Sequence, residues 1–128
     1  MSSEPSGTCE RHCIISLRGE LDLAAAPELR SELTALVGTN NNRAVVLDLA
    51  EVTFMDSSGV GAVLSTYRAL LLQERRLVVA NAHPIVARVL NLTNVDSIIP
   101  VRASVADAVD GCPLAHVARS VRRLDAAV

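Results

Sequence analysis

Ala44-Val45-Val46-Leu47-Asp48-Leu49 is a nearly continuous apolar run, and it restricts the fold more than any other stretch of the chain. A strand with one wet face alternates apolar with polar residues, whereas an unbroken run needs cover on both faces. It therefore predicts a central strand in a sheet packed against helices. The flanking segments supply them. Pro27 suits a first helical turn, and Leu29, Leu33, Leu36 and Val37 fall at i, i+4, i+7 and i+8 on one helical stripe that Gly38 closes. Ser58 to Glu74 reads as a second helix, with Val60, Val63, Leu64, Tyr67 and Leu71 on its apolar side.

The remaining segments keep the alternation. His12 to Arg18, with Ile14, Ile15 and Leu17, reads as a first strand ended by Gly19, and Leu77-Val78-Val79-Ala80 as another. Thr39 to Arg43, with three consecutive asparagines, reads as a loop. Pro84 opens a third helix through Leu92, Ile98 to Val101 reads as a last strand, and Ala103 to Asp110 as a helix stopped by Gly111 and Pro113. Strands alternating with helices predict an α/β domain whose sheet includes parallel strands. Residues 1–11 read as a flexible N-terminus, 12–111 as the domain and 112–128 as a C-terminal helical tail. In that tail Leu114, Val117, Ala118, Val121 and Leu124 have helical spacing, with Arg119, Arg122 and Arg123 mostly opposite. Such a stretch docks on the domain or lies free; a basic amphipathic stretch also suits membranes or partners, but without a bulky aromatic residue the structural reading is favoured.

Composition narrows the function. With 128 residues, 50% hydrophobic, and a formal charge of −2, the chain has core material for one domain and gains little from neutralising phosphates. Phe54 and Tyr67 are its only aromatic residues, so a stacking platform for single-stranded nucleic acid is absent, and no direct nucleic-acid partner is expected. All 12 basic residues are arginine, which removes lysine-dependent phosphate loops and Schiff-base chemistry. No run is long enough for a membrane span, and Met1 to Cys13 has no signal-peptide character; a cytoplasmic protein is expected.

The three cysteines, Cys9, Cys13 and Cys112, are expected as reduced thiols, with a redox switch as the sharper alternative. In an extended segment Cys9 and Cys13 stand about 13 Å apart, beyond bridging distance, so a bridge would have to join one of them to Cys112. A zinc site on Cys9, His12 and Cys13 lacks a second ligand pair, since His83 and His116 stand alone elsewhere. No metal and no cofactor are expected.

The chemistry is concentrated in Val52-Thr53-Phe54-Met55-Asp56-Ser57-Ser58-Gly59-Val60-Gly61, where the central strand hands over to the second helix. Asp and Ser are preferred N-caps, and Gly59 and Gly61 keep the first turn free of bulk, so another surface can come close. A hydroxyl there lies near the positive end of the helix dipole, where a phosphate is tolerated, which makes Ser57 a candidate phosphoacceptor. The plain alternative is that Asp56, Ser57 and Ser58 only cap the helix. Enzyme readings are weaker. A nucleophile elbow needs glycine where Met55 stands, the dinucleotide fingerprint needs Gly or Ala where Leu64 stands, and His83, before Pro84, reads as a capping or surface residue rather than a base.

Gly19-Glu20-Leu21-Asp22, Val45-Val46-Leu47-Asp48-Leu49, Phe54-Met55-Asp56-Ser57-Ser58-Gly59-Val60-Gly61 and Leu77-Val78-Val79-Ala80 running on to Pro84 and Val89-Leu90 together resemble the STAS family. Their order and spacing are similar to the bacterial anti-anti-sigma factors, the anti-sigma factor antagonists of partner-switching systems. The resemblance implies one small STAS-like α/β domain, a mixed sheet of four to five strands with about four to five helices. It implies that Ser57 is phosphorylated by an anti-sigma factor, a serine kinase of the histidine-kinase-like ATPase fold, and reset by a serine phosphatase. Asp56 then supports the kinase interaction, Ser58 and Gly59 match the helix-start positions, and Asp22 and Gly61 belong to the partner face; the plain alternative for Glu20 and Asp22 is that they only shape the turn and cap the first helix. On this reading the chain is a binding module and kinase substrate rather than an enzyme. The alternative is a non-switching STAS scaffold within a larger complex.

Overall fold

The computed structural model describes residues 12–39, 44–109 and 117–123, with the backbone alone for 36–39 and 117–123. The elements follow in the order β1 (His12–Leu21), α1 (Ala26–Thr39), β2 (Ala44–Met55), α2 (Ser57–Leu72), β3 (Arg76–Ala80), α3 (Pro84–Leu92), a 3-10 turn (Val95–Ser97), β4 (Val101–Arg102), α4 (Val105–Ala108) and β5 (Val117–Arg123). The strands form one sheet in the order β4-β3-β2-β1-β5. The fold class is the expected one. Every pairing among the described strands is parallel, so the mixed sheet implied by resemblance is here a parallel one.

The run at Ala44–Leu49 lies within a strand covered on both faces, as its lack of alternation requires. Val45, Leu47 and Leu49 face the larger core with Cys13, Ile15 and Leu17 of β1, Leu77 and Val79 of β3, and Leu29, Leu33, Val63, Leu70, Val86 and Leu90 from α1, α2 and α3. Ile14, Val46 and Ala80 point to the opposite face, where Val105 and Ala108 of α4 pack. Thus α1, α2 and α3 share one side and α4 takes the other. Of the expected first-helix stripe, Leu29 and Leu33 are fully buried, while the side chains of Leu36 and Val37 lie outside the described residues.

Three sequence expectations are corrected. Gly19 does not end β1; with φ 101° it occupies backbone space that other residues rarely adopt, and the strand continues to Leu21. Nearby, the pairing slips from Ser16↔Asp48 to Arg18↔Glu51 and from Gly19↔Val52 to Glu20↔Phe54, so β2 carries an extra residue at each of two bulges. Each bulge moves the buried phase of β2 by one, which is why Val45, Leu47 and Leu49 are followed inward by Val52 and Met55. Next, the stretch read as a strand from Ile98 contributes strand only at Val101–Arg102; the 3-10 turn before it buries Val95, and Ile99 follows it into the core.

The third correction concerns the tail. Val117–Arg123, read as part of a helix, is β5 and pairs with β1 from His12↔Val117 to Arg18↔Arg123. A short isolated helix is marginal, whereas the backbone along β1 offers a full ladder of partners. The tail is therefore in part an element of the sheet. The expectations for residues 1–11, 40–43, 110–116 and 124–128, including Cys9, Gly111 and Cys112, lie outside the described residues.

One polar group ties the middle strands together. The half-buried carboxylate of Asp48 accepts from Ser16 Oγ at 3.3 Å, from Asn81 Nδ2 at 3.1 Å and from the N–H of Ala50 at 3.1 Å, joining β1, β2 and the residue after β3.

Candidate functional site

In a parallel sheet the loops leaving the carboxyl ends of neighbouring strands meet, and here the β1–α1 and β2–α2 connections do so. The contact is close. Asp56 N–H donates to the carbonyl of Leu21 at 3.2 Å, and a Cβ on Gly59 would stand 2.3 Å from that same carbonyl oxygen. The first turn of α2 thus rests directly on the end of β1, and only glycine fits at the point of contact.

Asp56 is the N-cap of α2 and its carboxylate is fully engaged. Oδ1 accepts from the N–H groups of Ser58 at 2.8 Å and Gly59 at 3.2 Å, while Oδ2 accepts from the N–H of Leu23 at 3.3 Å. One side chain therefore caps the helix and fastens the opposite loop to it. Asp22, the other carboxylate singled out in the sequence, accepts from Ala25 N–H at 3.0 Å through Oδ1 and so shapes the entry to α1. It stands between Leu21 and Leu23, the two residues that touch the start of α2, which brings it beside Asp56.

Because Asp56 supplies the cap, Ser57 does not. Ser57 is the first residue of α2 and is exposed. The helix amides next to it are already engaged: those of Ser58 and Gly59 are held by the Asp56 side chain, and that of Val60 donates to the Asp56 carbonyl at 3.0 Å. Ser58 is half-buried, Gly59 is buried, and Gly61 lies one helical turn beyond Ser57.

Two apolar residues that the sequence did not assign to the partner face stand exposed on this end of the sheet. Leu23, 73% exposed, is in the loop held by Asp56, and Phe54, 43% exposed, lies on β2 two residues before Asp56. Leu72, Leu92 and Ile85 are comparably exposed elsewhere, so it is the position of Leu23 beside Asp56, and not its exposure alone, that sets it apart. No sequence pattern distinguishes it, since Leu21, two positions earlier, is fully buried.

The other residues weighed in the sequence are placed elsewhere. His83 is the N-cap residue of α3 and its Nε2 lies 2.6 Å from the carbonyl oxygen of Ala50. Cys13 is 1% exposed in the core and forms no disulfide among the described residues. Its neighbour Arg75 is also buried, and that burial lowers the guanidinium pKa, an effect the Cys13 sulfur partly opposes. His12 and Cys13 are adjacent on a strand and project to opposite faces, which does not suit a shared ion. Among the described residues there is no cluster of three or more metal-ligating side chains, and no helix is long and apolar enough to cross a membrane.

Known proteins are similar to this chain in sequence and fold. An anti-sigma F factor antagonist of Paenibacillus polymyxa is 30% identical over 88 residues, 69% of this chain and 75% of its own. The structure of the anti-sigma factor antagonist SpoIIAA in its unphosphorylated form superposes with a TM-score of 0.66 at 28% identity, covering 80% of this chain and 90% of that one. The phosphorylated form of the Bacillus cell fate determinant SpoIIAA gives a TM-score of 0.59 at 27% identity, over 80% of this chain and 93% of that one. The family model for the STAS domain matches residues 6–108, and with the parallel sheet and the Asp56-capped helix start this places the chain in the STAS domain family.

Proposed function

We infer that this protein is an anti-sigma factor antagonist, binding an anti-sigma factor through the surface around Ser57 and so releasing a sigma factor for transcription. The partner is a serine kinase of the histidine-kinase-like ATPase fold, and its phosphorylation of Ser57 turns the antagonist off until a serine phosphatase restores it. The observation that carries this reading is the division of labour at the start of α2. Asp56 takes the capping role, leaving the Ser57 hydroxyl exposed at the first helical position, beside the loop of Asp22 and exposed Leu23.

The switch follows from charge. The partner would meet Leu23, Phe54 and Asp22, with Ser58 and Gly59 keeping the turn in place and Gly61 leaving room for the Arg30 side chain beside it. A phosphate adds about −1.5 to −2 charges beside Asp56, in the middle of that surface. A loss of about 3 kcal/mol of binding energy weakens the complex roughly 150-fold, enough to release a partner held at moderate affinity. The chemistry belongs to the kinase and the phosphatase; this chain is substrate and binding module.

Affinity capture from the source cell with Ser57→Ala and Ser57→Glu baits tests the reading. A histidine-kinase-like ATPase retained by the first bait and lost from the second is the expected result. If both baits hold the same partners, or neither holds such a kinase, the domain is a non-switching scaffold and Ser57 is only the first residue of a helix.

A further inference from the structure

A phosphate on Ser57 meets an unfavourable neighbourhood. The amides of Ser58, Gly59 and Val60 are already bonded to Asp56, and the carboxylate that holds two of them repels a second anion. The counter-charge comes from the neighbouring helix. Ser57, Gly61 and Ser65 stand at i, i+4 and i+8 on α2 and so share one face. Arg30, exposed on α1, lays its guanidinium along that face: Nη1 donates to Ser65 Oγ at 3.2 Å, and Nη2 lies 3.0 Å from the position a Cβ on Gly61 would take. The missing side chain at Gly61 leaves space for the guanidinium. Ser57 is four residues before Gly61, about 6 Å along the axis.

We propose that Arg30 is the intramolecular partner of phosphorylated Ser57, its guanidinium leaving the Ser65 hydroxyl and pairing with the phosphate across Gly61. The exchange is favourable because a charge-assisted, forked bond to phosphate is roughly twice as strong as a bond to a neutral hydroxyl. This rests on Ser57 being the phosphoacceptor. Arg30 is then a positioning residue: it holds the phosphate against α1 and stabilises the dianion, and a phosphatase must displace it.

The test places phosphoserine at position 57 during translation, by an expanded genetic code, so that the result does not depend on any kinase. Phosphorus NMR then follows the second ionisation of the phosphate in the full chain and in its Arg30→Gln and Arg30→Met variants. Asp22 and Asp56 act equally in all three, so the difference isolates residue 30. The ionisation midpoint is expected about half a unit higher in both variants than in the parent, the separation shrinking in high salt. Arg30→Lys, a point charge without the fork, falls between. Midpoints that coincide in the parent and in both folded variants overturn the proposal while leaving Ser57 available as a kinase substrate. A kinase that ignores Ser57 overturns the switch and does not alter this titration.

Discussion

The carbonyl oxygen of Leu21 lies 2.3 Å from where a Cβ on Gly59 would stand, so the end of β1 and the first turn of α2 are in backbone contact. Helix propensity alone favours Gly59→Ala by about 1 kcal/mol. The contact reverses the sign. The variant is expected to be destabilised by about 2 kcal/mol or more, because the obstacle is main chain and cannot step aside. Thermal unfolding checks this, with a fall of roughly 6 °C or more expected. A variant as stable as the parent would remove the close contact from the account.

Asp56 combines a cap with a tether, and two substitutions separate these from charge. Asp56→Ala removes all three accepted bonds and is expected to cost about 1–2 kcal/mol in stability. Asp56→Asn keeps one acceptor oxygen for the amides of α2 and is expected to retain most of the stability. Urea unfolding of the two variants ranks them, and equal losses would mean that the carboxylate charge, not the cap, is what matters.

Asp22 shapes the turn before α1 by accepting from Ala25 N–H, and it stands beside the contact surface. Asp22→Ala is expected to lose about 1 kcal/mol of stability and also to lower affinity for the anti-sigma partner in a calorimetric titration. Unchanged affinity would confine Asp22 to shaping the turn.

Much of this arrangement is legible in the sequence, but unevenly. The β2 run and the Leu29–Leu33 stripe are local patterns, and each reports its own burial whatever the rest of the chain does. Asp56-Ser57-Ser58-Gly59 announces a helix start, but nothing local says which of three capping residues accepts the amides; the Leu23 loop, brought in from 33 positions away, favours Asp56 by using its second oxygen. The approach of Arg30 to Gly61 and Ser65 is equally invisible, because it depends on α1 lying beside α2. The tail departs from its expected helix for a related reason: Val117, Ala118 and Val121 fit a helical stripe, and only the proximity of β1 makes them a strand.

Deleting 117–128 is accordingly expected to do more than remove a dispensable tail. β1 would lose its β5 partner and expose a long, apolar edge, Cys13-Ile14-Ile15-Ser16-Leu17, to other chains. Size-exclusion chromatography with light scattering is expected to show oligomers or aggregates, alongside a lower unfolding temperature. A monomer of parental stability would mean that β5 contributes little to the sheet.

With Cys9 and Cys112 replaced by serine, labelling of Cys13 by a thiol reagent is expected to be slow in the native state and to accelerate at least 100-fold in denaturant, because its sulfur is reached only when the core opens. Rapid native labelling would return Cys13 to the candidates for redox control.

The pairing of β1 with β5 has a consequence for synthesis on the ribosome. Ile14 meets Arg119 in the register, so one of the earliest strands of the sheet waits for one of the latest. Leu21, Asp56 and Gly59 emerge early enough to assemble the start of α2 while β5 is still being made. During that interval the flank of β1 is open to other nascent chains. Translation speed through the last segment therefore sets how long that vulnerable flank stays uncovered.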